Sequence, residues 1–309
     1  MESAIVFPVK KKKRISIVGV GKIGISAVNQ LIDNGLKGVR FIAVSTELHA
    51  PAMSKTRSRL VLPTLVSVTS DNAEEARSKI SHALRGSDLV IIVAGMGCVA
   101  ETIPILSVAD AARYIDVLTI GVVTRPFSCE GRNRVKEADS AINTLLKSID
   151  AVITIPNDML IKATAYRRLS MAEANDRAEA ILVNTVRCLS DLFIEPSIIN
   201  VDFSDFSAIM KGAGLCRIGV GYADGKNRAG VAGKASALCP LLEQGISNSR
   251  KLIVIISVNP DIMPCEIRDG LKAVTDMTDP DASILPGVLF DDYLPLETMK
   301  ITIFAAGFV

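Results

Sequence analysis

Four short stretches carry residues whose types and spacing can do chemistry. In "GVGKIG", Gly19, Gly21 and Gly24 fall where an apolar run ends and a helical pattern begins. Glycines there let a phosphate approach the free N–H groups and partial positive charge of a helix N-terminus. With Glu47 near the end of the next apolar run as a ribose-binding acid, this reads as a dinucleotide fingerprint. A second strand–turn–helix pattern, "VIIVAGMGCVAETIPILSVA" (90–109), places Gly95 and Gly97 at its turn. Past Gly97, however, come Cys98, Val99, Ala100 and Glu101, so no glycine opens the backbone and a carboxylate stands where an anion would sit. "NVDFSDF" spaces Asn200, Asp202 and Asp205 ahead of an apolar helical pattern. Finally, "VKKKKR" (9–14) is a basic run preceded by the apolar "AIVFP".

The bulk composition narrows the partners. With 35 Lys and Arg against 33 Asp and Glu, no global charge argues for nucleic acid. Six cysteines without C-x-x-C spacing and two histidines give no metal constellation, and free thiols fit a reducing cytosol. No apolar run approaches the ~20 residues of a membrane span, and no signal peptide precedes the first strand, so a cytoplasmic protein is expected.

The elements that position these stretches alternate. Strands are expected at 14–20, 39–46, 88–95, 117–124 and 150–157. Helices lie between them: one is closed by Gly35, one spans 71–86 with Asp71 or Asn72 as its cap, and one runs through "RNRVKEADSAINTLLKSI". This alternation predicts an α/β fold with a parallel sheet covered by helices on both faces. A long helical pattern runs from Ser170 to Glu195, stopped by Pro196. Strands follow at 217–224, 251–259, 282–292 and 299–308, the last two read as neighbours without a helix, which suits a smaller α+β C-terminal domain. The expected division is a basic arm (1–12), a first domain (13–169), a central helix (170–196) and a second domain (197–309).

"FIAVST", "LTIGVVTRPFSCEGRNR", "IPND" and "NVDFSDF" stand in the order and at the spacing of the FtsZ family of bacterial tubulin homologues. The resemblance runs from about Lys13 to Phe308. It implies a tubulin/FtsZ-type GTPase domain, a central helix and an activation domain, and cytoskeletal filaments as the family's business. It also makes the second glycine turn legible, because the family carries "GMGGGTGTG" there as its phosphate loop. Cys98, Val99, Ala100, Glu101 and Ile103 replace glycines and a threonine without a gap. In the first loop, "GVGGGGGNA" becomes "GVGKIGISA", with Lys22, Ile23 and Ile25 at glycine positions and Ser26 at a guanine-contacting Asn. The loop "GAGGNP" is shortened to something like "VSVTSDN". On the central helix the ungapped match sets Glu179 and Ala180 at the family's Asn and Asp, so "EAND", with Asn175 and Asp176, reads as a decoy one turn early.

The resemblance therefore implies a degenerate site and a pseudo-GTPase: no cofactor, with GTP and GDP bound weakly or not at all. Gly19, Gly21, Gly95, Gly97, Glu130, Arg134 and Asn157 are vestigial contacts. Lys22, Ile23, Ile25, Glu101 and Ile103 are expected to fill the vacated space, Lys22 beside Glu101, with the carboxylate taking N–H groups of the helix that follows it. Asn200, Asp202, Phe203 and Asp205 match the family's loop that completes the next subunit's GTPase site. They form a retained interface or simply cap a helix. Lys10, Lys11, Lys12, Lys13 and Arg14 form a solvated arm or touch acidic lipid. The chain stops at Val309 without the family's tether-binding tail, which adds weight to lipid contact. The expected function is a head-to-tail filament independent of GTP, a scaffold or a modulator of a conventional FtsZ in cell division or membrane organisation. A divergent active GTPase and a nicotinamide or flavin oxidoreductase are the alternatives.

Overall fold

The computed structural model describes residues 13–46, 54–62, 70–162, 169–291 and 294–308. Lys10, Lys11, Lys12, Glu47 and much of the shortened "VSVTSDN" loop lie outside them. The first half builds β1 (Ile15–Val20), α1 (Gly21–Asp33), β2 (Val39–Ser45), β3 (Ser58–Val61), α2 (Ser70–Leu84), β4 (Leu89–Gly95) and α3 (Val99–Tyr114). It continues with β5 (Leu118–Arg125), α4 (Arg132–Leu145), β6 (Ala151–Pro156), α5 (Asn157–Lys162) and the central helix α6 (Met171–Ile194). Beyond it come β7 (Ser197–Ile199), α7 (Phe203–Met210), β8 (Gly214–Asp224), α8 (Arg228–Ala237), β9 (Ser249–Val258), α9 (Pro264–Thr275), β10 (Ser283–Phe290) and β11 (Thr298–Phe308).

All eleven strands join one sheet, in the order β3-β2-β1-β4-β5-β6-β8-β11-β9-β10-β7. From β3 to β8 every pairing is parallel. The inner strands β1, β4, β5 and β6 are largely apolar runs because both faces are covered. Ile17, Ile91 and Ile153 pack under α1 and α6 through Val28, Leu31, Leu182 and Val186. Their neighbours Val18, Ile92 and Val152 point the other way, into α2, α3 and α4 through Ile80, Val108 and Ile142. A third core joins β9 and β11 to α8 and α9 through Ile256, Ile303, Ala232 and Val274.

The central helix starts where its sequence says. Ser170 accepts the Glu173 N–H at 3.3 Å while Glu173 accepts the Ser170 N–H at 2.8 Å, a reciprocal cap. Three expectations are corrected. β10 and β11 are not neighbours; β9 lies between them, parallel to β10 and antiparallel to β11. β11 is buried along its middle on both faces and so takes a central place, whereas β10 carries Pro286 and sits next to the edge. α2 starts at Ser70, ahead of the expected caps Asp71 and Asn72. The short β3 and β7 were not anticipated.

Candidate functional site

The C-terminal ends of β1, β4, β5 and β6 lie side by side, the usual ligand position of an open parallel sheet. A cavity of 440 Å³ opens there. Lys22, Ile23 and Ser26 reach it from α1, and Met96, Cys98 and Glu101 from the β4–α3 turn. Thr124 lines it from the end of β5, Pro126, Glu130 and Arg134 from beyond it, Asn157 after β6, and Asn175, Ala178 and Glu179 from the N-terminal half of α6.

Glu101 fixes the end of the cavity nearest the glycine turns. α1 begins without a side-chain cap at Val20 and without an acidic residue in its first turn. The Glu101 carboxylate supplies what is missing: its Oε1 accepts the Lys22 backbone N–H at 2.9 Å. It rests on Gly21, at φ +67°, where a Cβ would lie 2.5 Å from Oε1. The partial positive charge of one helix start is thus met by a carboxylate from another helix. The expected proximity of Lys22 and Glu101 is present, but the hydrogen bond runs through the Lys22 backbone, and the donor belongs to α1 rather than to the carboxylate's own helix. On α3 the Glu101 and Thr102 N–H groups already turn back to the Cys98 carbonyl, at 3.1 and 3.2 Å.

The remaining glycines are covered by the chain itself. Ile23 lies over Gly95, and the Arg134 Cγ over Gly97, 2.9 Å from where a Cβ would stand. Gly19 and Gly24 bring α1 onto β1 and β4, a Cβ at Gly19 lying 2.8 Å from the Gly24 carbonyl carbon. Filling is nevertheless incomplete, since Ile25 and Ile103 do not line the cavity. Each is two residues, roughly 200° of helical turn, from a residue that does (Ile23 and Glu101). Ile25 is buried on the other side of α1.

The far end keeps polar groups. Glu130 accepts the Phe127 N–H at 2.8 Å and meets Arg134 Nη1 at 3.0 Å. Asn157 is 6% exposed, and its side-chain oxygen has no hydrogen-bond partner among the described residues; the same holds for Glu179 Oε1. Asn175 lines the cavity beside Glu179, since i and i+4 share a helix face. That spacing in "NDRAE" was the available signal. Asp176 and Ala180 do not line it.

The "NVDFSDF" stretch lies at the other end of the sheet. Lys13, just before β1, sits with its ammonium 4.5 Å from the Phe203 ring centroid, so the loop faces the N-terminal end of β1. Asp202 caps α7, its Oδ1 accepting the Ser204 N–H at 2.9 Å. Asn200, Asp202 and Asp205 are exposed. Phe203 packs edge-on against Phe193, at 5.3 Å, and Phe193 against the buried Phe206, at 5.0 Å. Arg14, expected in the basic arm, is held to the fold, its N–H donating to Asp88 Oδ2 at 2.8 Å. Among the described residues no helix is long and apolar enough to cross a membrane, and no three His, Cys, Asp or Glu side chains gather as a metal site.

A parallel sheet with a polar cavity at its C-terminal edge, a long helix and an antiparallel-rich second half define the class of the tubulin-like nucleotide-binding fold. Residues 14–165 match the Tubulin/FtsZ family GTPase domain and residues 214–309 the FtsZ family C-terminal domain, and the chain belongs to this family. It is similar to an M. jannaschii FtsZ described as an empty dimer, at 27% identity and a TM-score of 0.88, over 97% of this chain and 89% of that one. CetZ2 from Haloferax volcanii, described as a GTPγS-bound protofilament, shares the fold at 18% identity and a TM-score of 0.75, over 96% and 93% of the two chains. CetZ1 from the same organism, a GDP-bound monomer, follows at 17% and 0.73, over 96% and 94%. The oxidoreductase reading of "GVGKIG" is not supported. Its glycines belong to the tubulin/FtsZ match, and the space over Gly21 holds Glu101.

Proposed function

We propose that this chain is an FtsZ-like pseudo-GTPase that assembles head to tail without GTP, as a scaffold or as a modulator of a conventional FtsZ. The observation that carries the reading is the Glu101 carboxylate bonded to the Lys22 N–H over Gly21. A phosphate at the start of α1 would need the same donor and the same space. It would also face a like charge, worth about 4 kcal/mol at 4 Å in an effective dielectric of ~20. Each ~1.4 kcal/mol is tenfold in affinity, so GTP and GDP fall to millimolar binding or worse. Self-association draws support from the relative described as a dimer and from the exposed Asn200, Asp202 and Asp205. In this reading Lys10, Lys11 and Lys12 bring the filament to acidic lipid.

The test is calorimetry with GTP and GDP at millimolar ligand, paired with electron microscopy with and without GTP. No saturable heat, together with polymers in both conditions, is the expected result. A second reading, a divergent active GTPase, is favoured by the open cavity and by Glu130, Arg134 and Asn157 on its wall. Guanine nucleotide retained on purification, or GTP hydrolysis that depends on Asp202 or Asp205, would establish it instead.

A further inference from the structure

We infer that Glu243 is a strained clamp between the two halves of the molecule, holding the turn before β9 against the end of β5 and able to let it go. The clamp is independent of the nucleotide reading and needs no ligand. The first observation is the backbone. Glu243 has φ +61° and ψ −48°, outside the left-handed helical region that a non-glycine residue occasionally enters. The Gln244 N–H donates to the Leu242 carbonyl at 2.7 Å, which closes a γ-turn of the rare, strained form. The cause lies in the two residues before it. Leu241 is buried with Leu160 in the core under α6. Leu242 joins the core of α8 and α9 and covers Gly219 of β8, where a Cβ would lie 2.8 Å from its Cδ1. Consecutive side chains drawn into separate cores leave the chain to reverse within one residue. Glycine would meet that bend without a Cβ clash, yet the position holds a carboxylate.

The second observation is what the carboxylate holds. Its Oε1 lies 3.8 Å from Arg125 Nη1 at the end of β5, and its Oε2 lies 3.3 Å from Arg217 Nε on β8. It thus ties an arginine of the first half to one of the second, and both grips are incomplete. Arg125 is already bonded to Asp139 of α4 at 2.7 Å. Arg217 Nε and Nη1 are buried and make no hydrogen bond among the described residues. An arginine fork matches a carboxylate through two parallel bonds. A shift that frees Glu243 from Arg125 lets its backbone leave positive φ and brings the carboxylate square onto Arg217, while Arg125 keeps Asp139. Strain and unmade donors are relieved together, which gives the clamp two arrangements. Thr124 and Pro126, on either side of Arg125, line the 440 Å³ cavity, so a displacement of that wall acts on the clamp.

Hydrogen exchange of the full chain, read as protection over residues 239–246 with residues 216–221 of β8 as reference, tests this. Glu243→Gln keeps the strained backbone and removes the charge that holds it, so 239–246 should lose about tenfold in protection. Glu243→Gly removes strain and charge together and should lose less than about threefold. Both variants leave Arg217 without its carboxylate, so their difference isolates the backbone. An unstrained ion pair predicts the opposite order, because glycine loosens a turn more than glutamine does. Arg125→Gln, outside the turn, should also lower protection of 239–246, and it decides the matter if a Glu243 variant fails to fold. Protection in Glu243→Gln no lower than in Glu243→Gly, or unchanged in Arg125→Gln, overturns the inference. So does a loss spread equally over β8, which would mean that the second half had loosened as a whole.

Discussion

The Glu101 carboxylate fills the space over Gly21 at the start of α1, and its removal tests whether that space can take an anion. Glu101→Gly should lower stability by about 0.5–1 kcal/mol, because α1 loses its capping carboxylate. It should also raise the affinity for GTP or inorganic phosphate by tenfold or more, since the like charge and the obstruction go together. Calorimetry and chemical denaturation read the two effects independently; a destabilised variant with no gain in anion affinity would mean that the surrounding loops had closed for other reasons. The presence of the charge was legible in the sequence because strand, turn and helix are local. Its nearness to Lys22, 79 residues away, was legible only through the likeness of the two loops to the family's, and that the donor is the backbone N–H was not legible at all. Asn175 makes a different point: register on a helix fixes which residues share a face, so it lines the cavity with Glu179, while a match by position fixes only names. At the N-terminus, Lys13 is stacked on Phe203 and Arg14 is tied to Asp88, so lipid contact would fall to Lys10, Lys11 and Lys12. Each such lysine contributes about 1 kcal/mol near an acidic surface. Deleting residues 1–12 should abolish co-sedimentation with anionic vesicles and leave melting unchanged; equal pelleting with neutral vesicles would remove lipid electrostatics from the account.

The central helix links both ends of the molecule. Its 24 residues extend about 36 Å at ~1.5 Å each, from Asn175 and Glu179 in the cavity to Phe193 beside the "NVDFSDF" loop. Between them Asp191 faces a polar cavity of 200 Å³ that Arg187, Glu195, Asp291 and Lys300 also line. Burial pushes the Asp191 carboxyl up to about 6, against the partly offsetting pull of Arg187, with Glu195 and Asp291 adding to the rise. A carboxyl raised in the folded state favours folding at low pH, and that contribution is lost as pH climbs from its ordinary value near 4 through 6. Asp191→Asn, which imitates the protonated form, should therefore raise the melting temperature at pH 7–8 and make little difference near pH 4. Equal effects at both pH values would show that packing, not ionisation, governs the position. The strands around this helix were legible wherever both faces are covered, because an apolar run needs no partner to be recognised. The pairing of β11 with β8 and β9 was not, since it joins residues far apart in the chain, and β3 and β7, of 4 and 3 residues, are too short to show a pattern.

At the scale of the whole molecule, cavity and loop lie at opposite ends of the same sheet, so a contact between one molecule's loop and the next molecule's cavity end is heterologous. Such a contact does not close on itself and propagates as a filament. The cavity end offers Val99, 51% exposed, and the loop end offers Ile198 and Phe203, so apolar burial at about 25 cal/mol per Å² can replace part of what a nucleotide would contribute. The sequence disclosed the loop only through its likeness to a family motif; the stacking of Lys13 on Phe203 is what locates it opposite the cavity. Two aspartates then separate folding from assembly. Asp202 caps α7, so Asp202→Ala should lose about 1 kcal/mol of stability and weaken assembly together. Asp205 lies exposed in the first turn of α7, so Asp205→Lys should cost about 0.5–1 kcal/mol at that helix start and abolish polymers outright by reversing a charge at the proposed junction. Sedimentation and electron microscopy in buffer without GTP read assembly, and denaturation reads folding. Polymers of Asp205→Lys indistinguishable from wild type would leave the loop a helix cap and nothing more. A wild type that stays monomeric at high concentration, with and without GTP, would end self-assembly. The exposed loop would then direct this chain to the nucleotide-loaded end of a conventional FtsZ filament, where one added subunit that offers no competent site behind it stops growth.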